Sequence, residues 1–317
     1  MKNFESIKQF YLKYLKLEEE INDSILIEDM ALKYFESNFI NENDVMKIHL
    51  AKGLFSDLVY SSGEKYTWLL NFKNQYNNQA LCDYIAFVFM NLFSIGVAKY
   101  NDKQSYITGF HTQGFQLLIL MATHNIEMAD LCYSHLKKNV MDGVLTRTVR
   151  RNKNADIPPK KLGVLGYGML ASIHNETFDW DAAQIPYDRL YTDFVRDSLY
   201  SGDETLVAEG ILSLLNSHIK WASRSLDIES EVHFLGYEYD EDYALLWPFE
   251  YQAIKNIRAQ RGLTTPVVAH PLCEGPLATT DHRPDFSRWQ APEWFFPVMD
   301  RLIAIEPKFA EAKALFK

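Results

Sequence analysis

The sequence predicts an all-α protein in which two helical halves pack into one body, with irregular or solenoid-like helix stacking and at most a minor strand element. Apolar residues recur three and four positions apart in segment after segment, which is the spacing of a buried helix face. Alternating strand patterns are scarce, and the best candidate is 231–239, EVHFLGYEY. With 317 residues, 47% of them hydrophobic, the chain has enough material for a large core.

The first half, residues 1–150, is predicted to contain six helices. Their predicted ranges are 3–20, 24–39, 43–60, 79–99, 105–122 and 125–139. The fourth contains the longest apolar run, 84–98. This run is shorter than the about 20 residues that a membrane span needs, so we expect a buried central helix and no membrane partner.

The second half, residues 151–317, is predicted to contain five more helices. Their predicted ranges are 187–200, 203–226, 241–261, 292–305 and 307–316. The pattern is clearest at 203–226. Asp203 or Ser201 can cap this helix, and Glu204 lies in its first turn, where a carboxylate interacts favourably with the helix dipole.

Two regions lack helical periodicity. The polar segment 150–161, which contains Pro158-Pro159, is predicted to link the two halves. The segment 263–291 contains four prolines. We expect it to wrap over the helices as a long ordered loop, and loops of that length in compact domains are often functional.

Charge and cysteine content indicate the setting in which the protein works. The net charge is −10 and the isoelectric point is near 5.4, which argues against a nucleic-acid binder, since such proteins carry a basic face. The three cysteines are far apart, so no disulfide framework is predicted. The first 20 residues have no apolar core like that of a secretory signal. We therefore expect a cytoplasmic protein.

A glycine motif at 166–171, GYGMLA, matches the dinucleotide-binding pattern G-x-G-x-x-A. That function requires a preceding strand and an acidic residue at the end of a second strand. The polar sequence that follows lacks this second strand. A close helix contact or a flexible turn explains the glycines better.

The histidines do not have the H-E-x-x-H spacing that places two metal ligands on one helix face. His270, Cys273, Asp281 and His282 could together hold a metal, but they lie in the proline-rich segment and we predict neither a metal nor a cofactor. His218 lies on the apolar stripe of the 203–226 helix. We expect it to be a hydrogen-bonded core residue.

An acidic cluster surrounds Trp180, formed by Glu176, Asp179 and Asp181. Paired carboxylates can perform acid–base chemistry, but their spacing in the sequence does not bring them together in space. No catalytic residue is therefore assigned.

A second, denser acidic tract follows the 203–226 helix, and aromatic residues are mixed into it. Aromatic residues among carboxylates are typical of a partner interface, although the tract could also be a solvated approach to the next helix. The residues predicted to bind a partner are Glu229, Glu231, Tyr237, Glu238, Tyr239, Asp240, Glu241 and Asp242.

Three segments carry a resemblance to a known family. They are SGDETLVAEGILSLLNSHIKWA at 201–222, LLWPFEYQAIKNIRAQRGL at 245–263 and VVAHPLCEGPL at 267–277. In this order they resemble the all-helical immunity proteins of bacterial polymorphic toxin systems, in particular the forty-ninth numbered immunity family. The immunity family against polymorphic nuclease effectors has an aromatic-Phe-Glu segment similar to Trp247-Pro248-Phe249-Glu250.

The resemblance implies a protein that binds a cognate toxin or secreted effector, such as one delivered by type VI secretion, and neutralises it by covering its active site. It implies no catalysis and no cofactor. Two alternatives stay open. The helix pairs, and an end segment AIEPKFAEAKALF like the closing helix of a tetratricopeptide repeat, suit a helical protein-binding scaffold. The other alternative is an enzyme that uses the 166–171 glycines or the 270–282 His/Cys loop.

Overall fold

A computed structural model of the chain describes residues 4–9, 23–99, 109–141, 161–224 and 241–316. Within these ranges the regular structure is helical and no residue is in a strand, which confirms the all-α prediction. The linker residues 150–160 and the strand candidate 231–239 lie outside the described residues.

The α-helices, numbered here in chain order, are α1 Asp23–Phe39, α2 Asp44–Lys73, α3 Asn78–Val97, α4 Phe110–Ala122, α5 Ile126–Met141, α6 Leu162–Ile173, α7 Arg189–Asp193, α8 Glu204–Arg224, α9 Phe249–Gln260, α10 Pro276–Thr279, α11 Phe295–Ile305 and α12 Phe309–Ala314. Residues 4–9 are also helical. A π-helical turn, Phe194–Ser198, follows α7, and 3-10 turns lie at Asp242–Ala244, Pro271–Cys273 and Phe286–Arg288.

The central helix is α3. It begins at an Asn77 side chain that accepts a hydrogen bond from the Ala80 N–H at 2.9 Å, an ordinary N-cap. Helix α2 packs along one side of it and α5 along another. Of the helices that the structure describes, α3 alone is long and apolar enough to cross a membrane, and 94% of its apolar window is buried inside the protein. It is the buried core helix that the sequence predicts.

Helix α4 joins the two predicted halves, because it packs against both α6 and α9. At the crossing with α6 the two backbones touch, since a Cβ added to Gly114 would lie 2.3 Å from the Gly163 Cα atom. Only glycine permits an approach this close. The buried apolar cluster is continuous from α1 to α12. The division of the chain near residue 150 stays a prediction.

Helices α2 and α6 depart most from the prediction, and the reason lies in packing. Helix α2 continues 13 residues beyond the predicted end at 60, through Ser61, Ser62 and Gly63. The Ser62 hydroxyl donates to the Leu58 carbonyl at 2.6 Å, and a Cβ on Gly63 would lie 2.6 Å from the Tyr243 ring. These small residues continue the helix because they allow its close contact with Tyr243. Helix α6 was not predicted at all.

The segment 263–291 is ordered and crosses α2 and α3, as the sequence predicts. Its backbone is held by side chains at the start of α3 and just before it. The Tyr76 hydroxyl donates to the Arg283 carbonyl at 2.9 Å, and the Asn78 amide exchanges hydrogen bonds of 3.0 and 2.8 Å with the Asp285 backbone. Because the backbone of the segment is bonded to the helices, it belongs to the folded body.

Candidate partner-binding site

The predicted interface lies mostly outside the described residues. Glu229, Glu231, Tyr237, Glu238, Tyr239 and Asp240 fall there, and their assignment stays a prediction. Glu241 and Asp242 are half-buried at the start of a 3-10 turn. The next residue, Tyr243, is buried, with its hydroxyl 3.2 Å from that of Tyr84 and its ring edge-on to Tyr60 at 5.6 Å. The tract is therefore anchored in the core at its C-terminal end.

His218 and Glu250, which belong to two of the three segments that carry the family resemblance, meet in the core. The His218 Nδ1 lies 2.9 and 3.1 Å from the two Glu250 carboxylate oxygens, and its Nε2 lies 3.0 Å from the Leu245 carbonyl. His218 and Glu250 are almost completely buried. Both ring nitrogens of His218 therefore have hydrogen-bond partners inside the core. The prediction that His218 is a hydrogen-bonded core residue is confirmed.

The 166–171 glycine motif lies inside α6, with no strand before it among the described residues. Its two glycines face opposite sides of the helix. A Cβ on Gly166 would lie 2.7 Å from the Gly114 carbonyl oxygen, so this glycine permits the close helix contact that the sequence favoured. A Cβ on Gly168 would lie 3.5 Å from the Val195 Cγ2 atom, an ordinary contact distance, and both residues line an open cleft.

The polar groups of the 270–282 loop are engaged within the fold. The His270 Nδ1 accepts the Leu272 N–H at 3.3 Å. His282 bonds the Leu277 carbonyl through Nε2 at 2.7 Å and the Tyr66 hydroxyl through Nδ1. Burial lowers the pKa of His282 to about 4. Within the described part of the chain, no group of three or more His, Cys, Asp and Glu side chains could hold a metal ion.

The acidic cluster around Trp180 borders an open cleft beside α6. A cleft of about 420 Å³, here called the apolar cleft, has a floor formed by Val164, Gly168, Ala171 and Val195. Its wall consists of Phe178 and Trp180, whose ring centroids are 4.8 Å apart. A cleft of this volume falls within the range of ligand pockets.

Local structure at the end of α6 sets the position of this wall. Asn175 has a left-handed backbone with φ of 57°, and the Glu176 N–H donates to the Ala171 carbonyl at 2.9 Å, which ends the helix without a glycine. The Glu176 carboxylate accepts from the Tyr133 hydroxyl at 2.8 Å and from Lys137 at 3.0 Å. These bonds, the one from Tyr133 first, lower the pKa of Glu176.

A second cleft, here called the acidic cleft, lies on the other side of the same aromatic wall and has a volume of about 490 Å³. Asp179, Asp181, Arg189, Asp193 and Arg196 line it together with Phe178 and Trp180. The two clefts share the aromatic wall and the π-helical turn. Such turns are rare and occur frequently at functional sites.

The sequence identified Glu176, Asp179, Asp181 and Trp180 as a group, and the structure places all four along these clefts. It brings them together as the border of a concave surface. It also adds Gly168 and Val195, which the sequence did not connect with them. Comparison with known proteins adds no assignment, since no family model, no curated protein and no solved structure matches the chain.

Proposed function

We propose that the chain is an immunity protein that binds a cognate bacterial toxin and neutralises it by covering the toxin's active site. The family resemblance supports this proposal. The observation that carries it is the pair of clefts on one rigid helical body, because a concave surface with an aromatic wall and a charged border suits the insertion of partner side chains.

Three of the residues on which an enzymatic function would depend are used within the fold, and this favours binding over chemistry. Gly166 is in contact with Gly114, and His270 and His282 bond backbone groups within their own loop. The scaffold alternative stays open as a second candidate. It is distinguished by the number of partners, because a peptide-binding scaffold binds several proteins weakly, whereas an immunity protein binds one protein tightly.

The first experiment is co-expression with the product of the neighbouring gene. We expect that product to arrest growth when expressed alone, and we expect this chain to restore growth and to co-purify with it in a tight complex. A non-toxic product, or a toxic one that this chain neither binds nor neutralises, contradicts the proposal.

The sequence-predicted interface is tested by charge reversal at Glu231, Glu238 and Asp240 to Lys. Because carboxylates steer a basic partner, the triple variant is expected to associate at least about tenfold more slowly at low salt. The matched control reverses Asp29, Glu209 and Glu293, which are exposed and change the net charge equally. An equal effect of both triple variants on the association rate places the interface elsewhere, with the 263–291 loop as the next candidate.

A further inference from the structure

We propose that the apolar and acidic clefts together bind one segment of the partner protein, in which a cationic side chain is adjacent to an apolar one. The cationic side chain lies against the Phe178–Trp180 wall and points towards Asp179 and Asp181, and the apolar side chain enters the apolar cleft. This inference rests on the proposed function for the identity of the partner, whereas the binding chemistry follows from the clefts themselves.

The apolar cleft is suited to an aliphatic side chain. Val164, Ala171 and Val195 offer only carbon atoms at its floor, and Gly168 leaves between them the space that a side chain would otherwise occupy. Most of the surface that lines the cleft is apolar. Water in such a space is displaced favourably by an aliphatic group.

The wall between the clefts is held in place from behind. Trp180 is only 8% exposed and packs against Phe110, with ring centroids 6.0 Å apart, and Phe178 packs against Tyr167 at 6.1 Å. A rigid aromatic surface costs little conformational entropy on binding. The faces of such rings attract a guanidinium or ammonium group within about 6 Å.

The charges of the acidic cleft favour a cation. Arg196 is paired with Asp193 at 2.9 Å and with Asp197 at 2.5 Å, so its charge is already balanced. Asp179 uses one oxygen to accept the Ala182 N–H at 2.9 Å, and Asp181 accepts a long bond of 3.3 Å from the Tyr187 hydroxyl.

Each of these two aspartates keeps a second carboxylate oxygen for a ligand. Beside the paired Arg196, one further exposed cation, Arg189, borders the same cleft and opposes them. Two carboxylates against one guanidinium, on a chain with a net charge of −10, attract a positively charged segment.

The test uses short capped peptides as probes, so that it does not depend on the toxin. The peptides are Ac-Gly-Leu-Arg-Gly-NH2, its Glu analogue and its Gln analogue, at millimolar concentration and low salt. Binding is followed by NMR on the Trp180 indole N–H, which is assigned with Trp180→Phe. We expect the Arg peptide to bind at least about fivefold more tightly than the Gln peptide, and the Glu peptide to bind most weakly.

Two variants examine the two halves of the site separately. Asp179→Asn with Asp181→Asn retains the hydrogen-bonding shape of the turn and is expected to remove the preference for Arg over Gln. Gly168→Leu fills the apolar cleft and is expected to weaken binding of all three peptides at least about tenfold. Its matched control is Gly53→Leu in α2, where an added Cβ has no atom within 4 Å. Thermal melting shows whether each variant is folded.

The outcomes separate this inference from the proposed function. If the Arg peptide binds with the expected variant effects but the neighbouring gene's product does not bind, the inference stands and the toxin assignment fails. If the toxin binds the folded Gly168→Leu and double Asn variants as tightly as the unaltered chain, the inference is overturned and the function stands. Failure of the Arg peptide to bind, or tighter binding of the Glu peptide, also overturns the inference.

Discussion

Two irregular segments cross the helices of this protein, and they are tied to them in different ways. Segment 281–290 bonds its backbone to Asn78 and Gln79 at the start of α3 and to Tyr76 in the connection before it. Segment 174–188 contains a turn that is closed by bonds within itself, from Ala183 to Asp179 and from Ile185 to Trp180. The backbone of the first segment is fixed to the helical body, whereas that of the second closes on itself, and its aromatic side chains border two clefts beside α6. An irregular segment can therefore either stabilise the fold or form a binding surface, depending on whether its backbone hydrogen bonds reach the helices or stay within the segment.

The largest expected change in the free energy of unfolding comes from replacing one tryptophan in each segment, Trp289 and Trp180, by alanine. Trp289 packs against Phe295 at 5.0 Å and donates from Nε1 to Asp83 at 2.8 Å. Trp289→Ala is expected to lower the free energy of unfolding by about 4 kcal/mol, because it removes several aromatic contacts and takes one of two donors, the other being the Gln79 amide, from the Asp83 carboxylate.

The matched variant in segment 174–188 is Trp180→Ala. It is expected to cost about 1 kcal/mol less than Trp289→Ala, because Trp180 already borders two clefts and the lost contacts are fewer. Urea denaturation of both variants measures the difference. A larger loss for Trp180→Ala than for Trp289→Ala contradicts the idea that segment 281–290 is the more firmly integrated of the two.

The next largest effect is the loss of stability at acidic pH that His282 causes in segment 281–290. Burial lowers the pKa of His282 to about 4, below the ordinary value near 6.5 that applies to the unfolded chain. The unfolded chain therefore binds the extra proton first. The stability that His282 contributes is fully present above pH 6.5 and is lost as the pH falls towards 4, by about 3 kcal/mol in total.

Unfolding free energies of the unaltered chain and of His282→Gln across this pH range measure the contribution of His282. We expect the difference between the two proteins to shrink as the pH falls. A difference that does not vary between pH 6.5 and 4 contradicts the assignment of His282 as a buried neutral residue.

Asp83, the residue of α3 that accepts the hydrogen bond from Trp289, has a pH dependence of opposite sign. Burial raises the pKa of this carboxyl to about 6, although the hydrogen bond from Trp289 acts against the rise. The folded protein binds the proton more tightly than the unfolded chain does. The stability that Asp83 contributes is full below pH about 4 and falls by about 2 kcal/mol as the pH rises to 6.

Asp83→Asn retains an oxygen acceptor for Trp289 and removes the titration. We expect this variant to gain stability relative to the unaltered chain as the pH rises from 4 to 6. Because the Asp83 and His282 dependences partly cancel in the unaltered protein, each is measured as a difference from its own variant. A constant difference across this range shows that Asp83 is not titrating there.

The smallest effect compares the two faces of α6. Gly166→Ala is expected to destabilise the protein by about 1 to 2 kcal/mol, because the added Cβ meets the backbone of α4. Gly168→Ala, two residues away on the open face, is expected to stabilise it by about 0.5 to 1 kcal/mol, because alanine loses less backbone entropy in a helix. The melting temperatures of the two variants are compared with that of the unaltered chain. Changes of the same sign would show that the two faces of α6 do not differ.

The sequence alone determined the helical class, the central helix α3, the core position of His218 and the ordered crossing of 263–291. It did so because these features depend mainly on the spacing of apolar residues along the chain, and the helical period of 3.6 residues is visible within a short segment. It also grouped the carboxylates around Trp180. Their closeness in sequence made the group visible, although it did not reveal what the group surrounds.

Only the tertiary structure decided the rest. Helix α6 was missed because its three glycines disfavour an isolated helix, and the contact with Gly114 on α4 supplies what local propensity lacks. The clefts were missed because they require Gly168, Trp180 and Val195 to lie side by side. The distances between these three residues depend on how closely α6 approaches its neighbours and on where segment 174–188 turns. Both follow from packing among residues far apart in the chain, which no local pattern encodes.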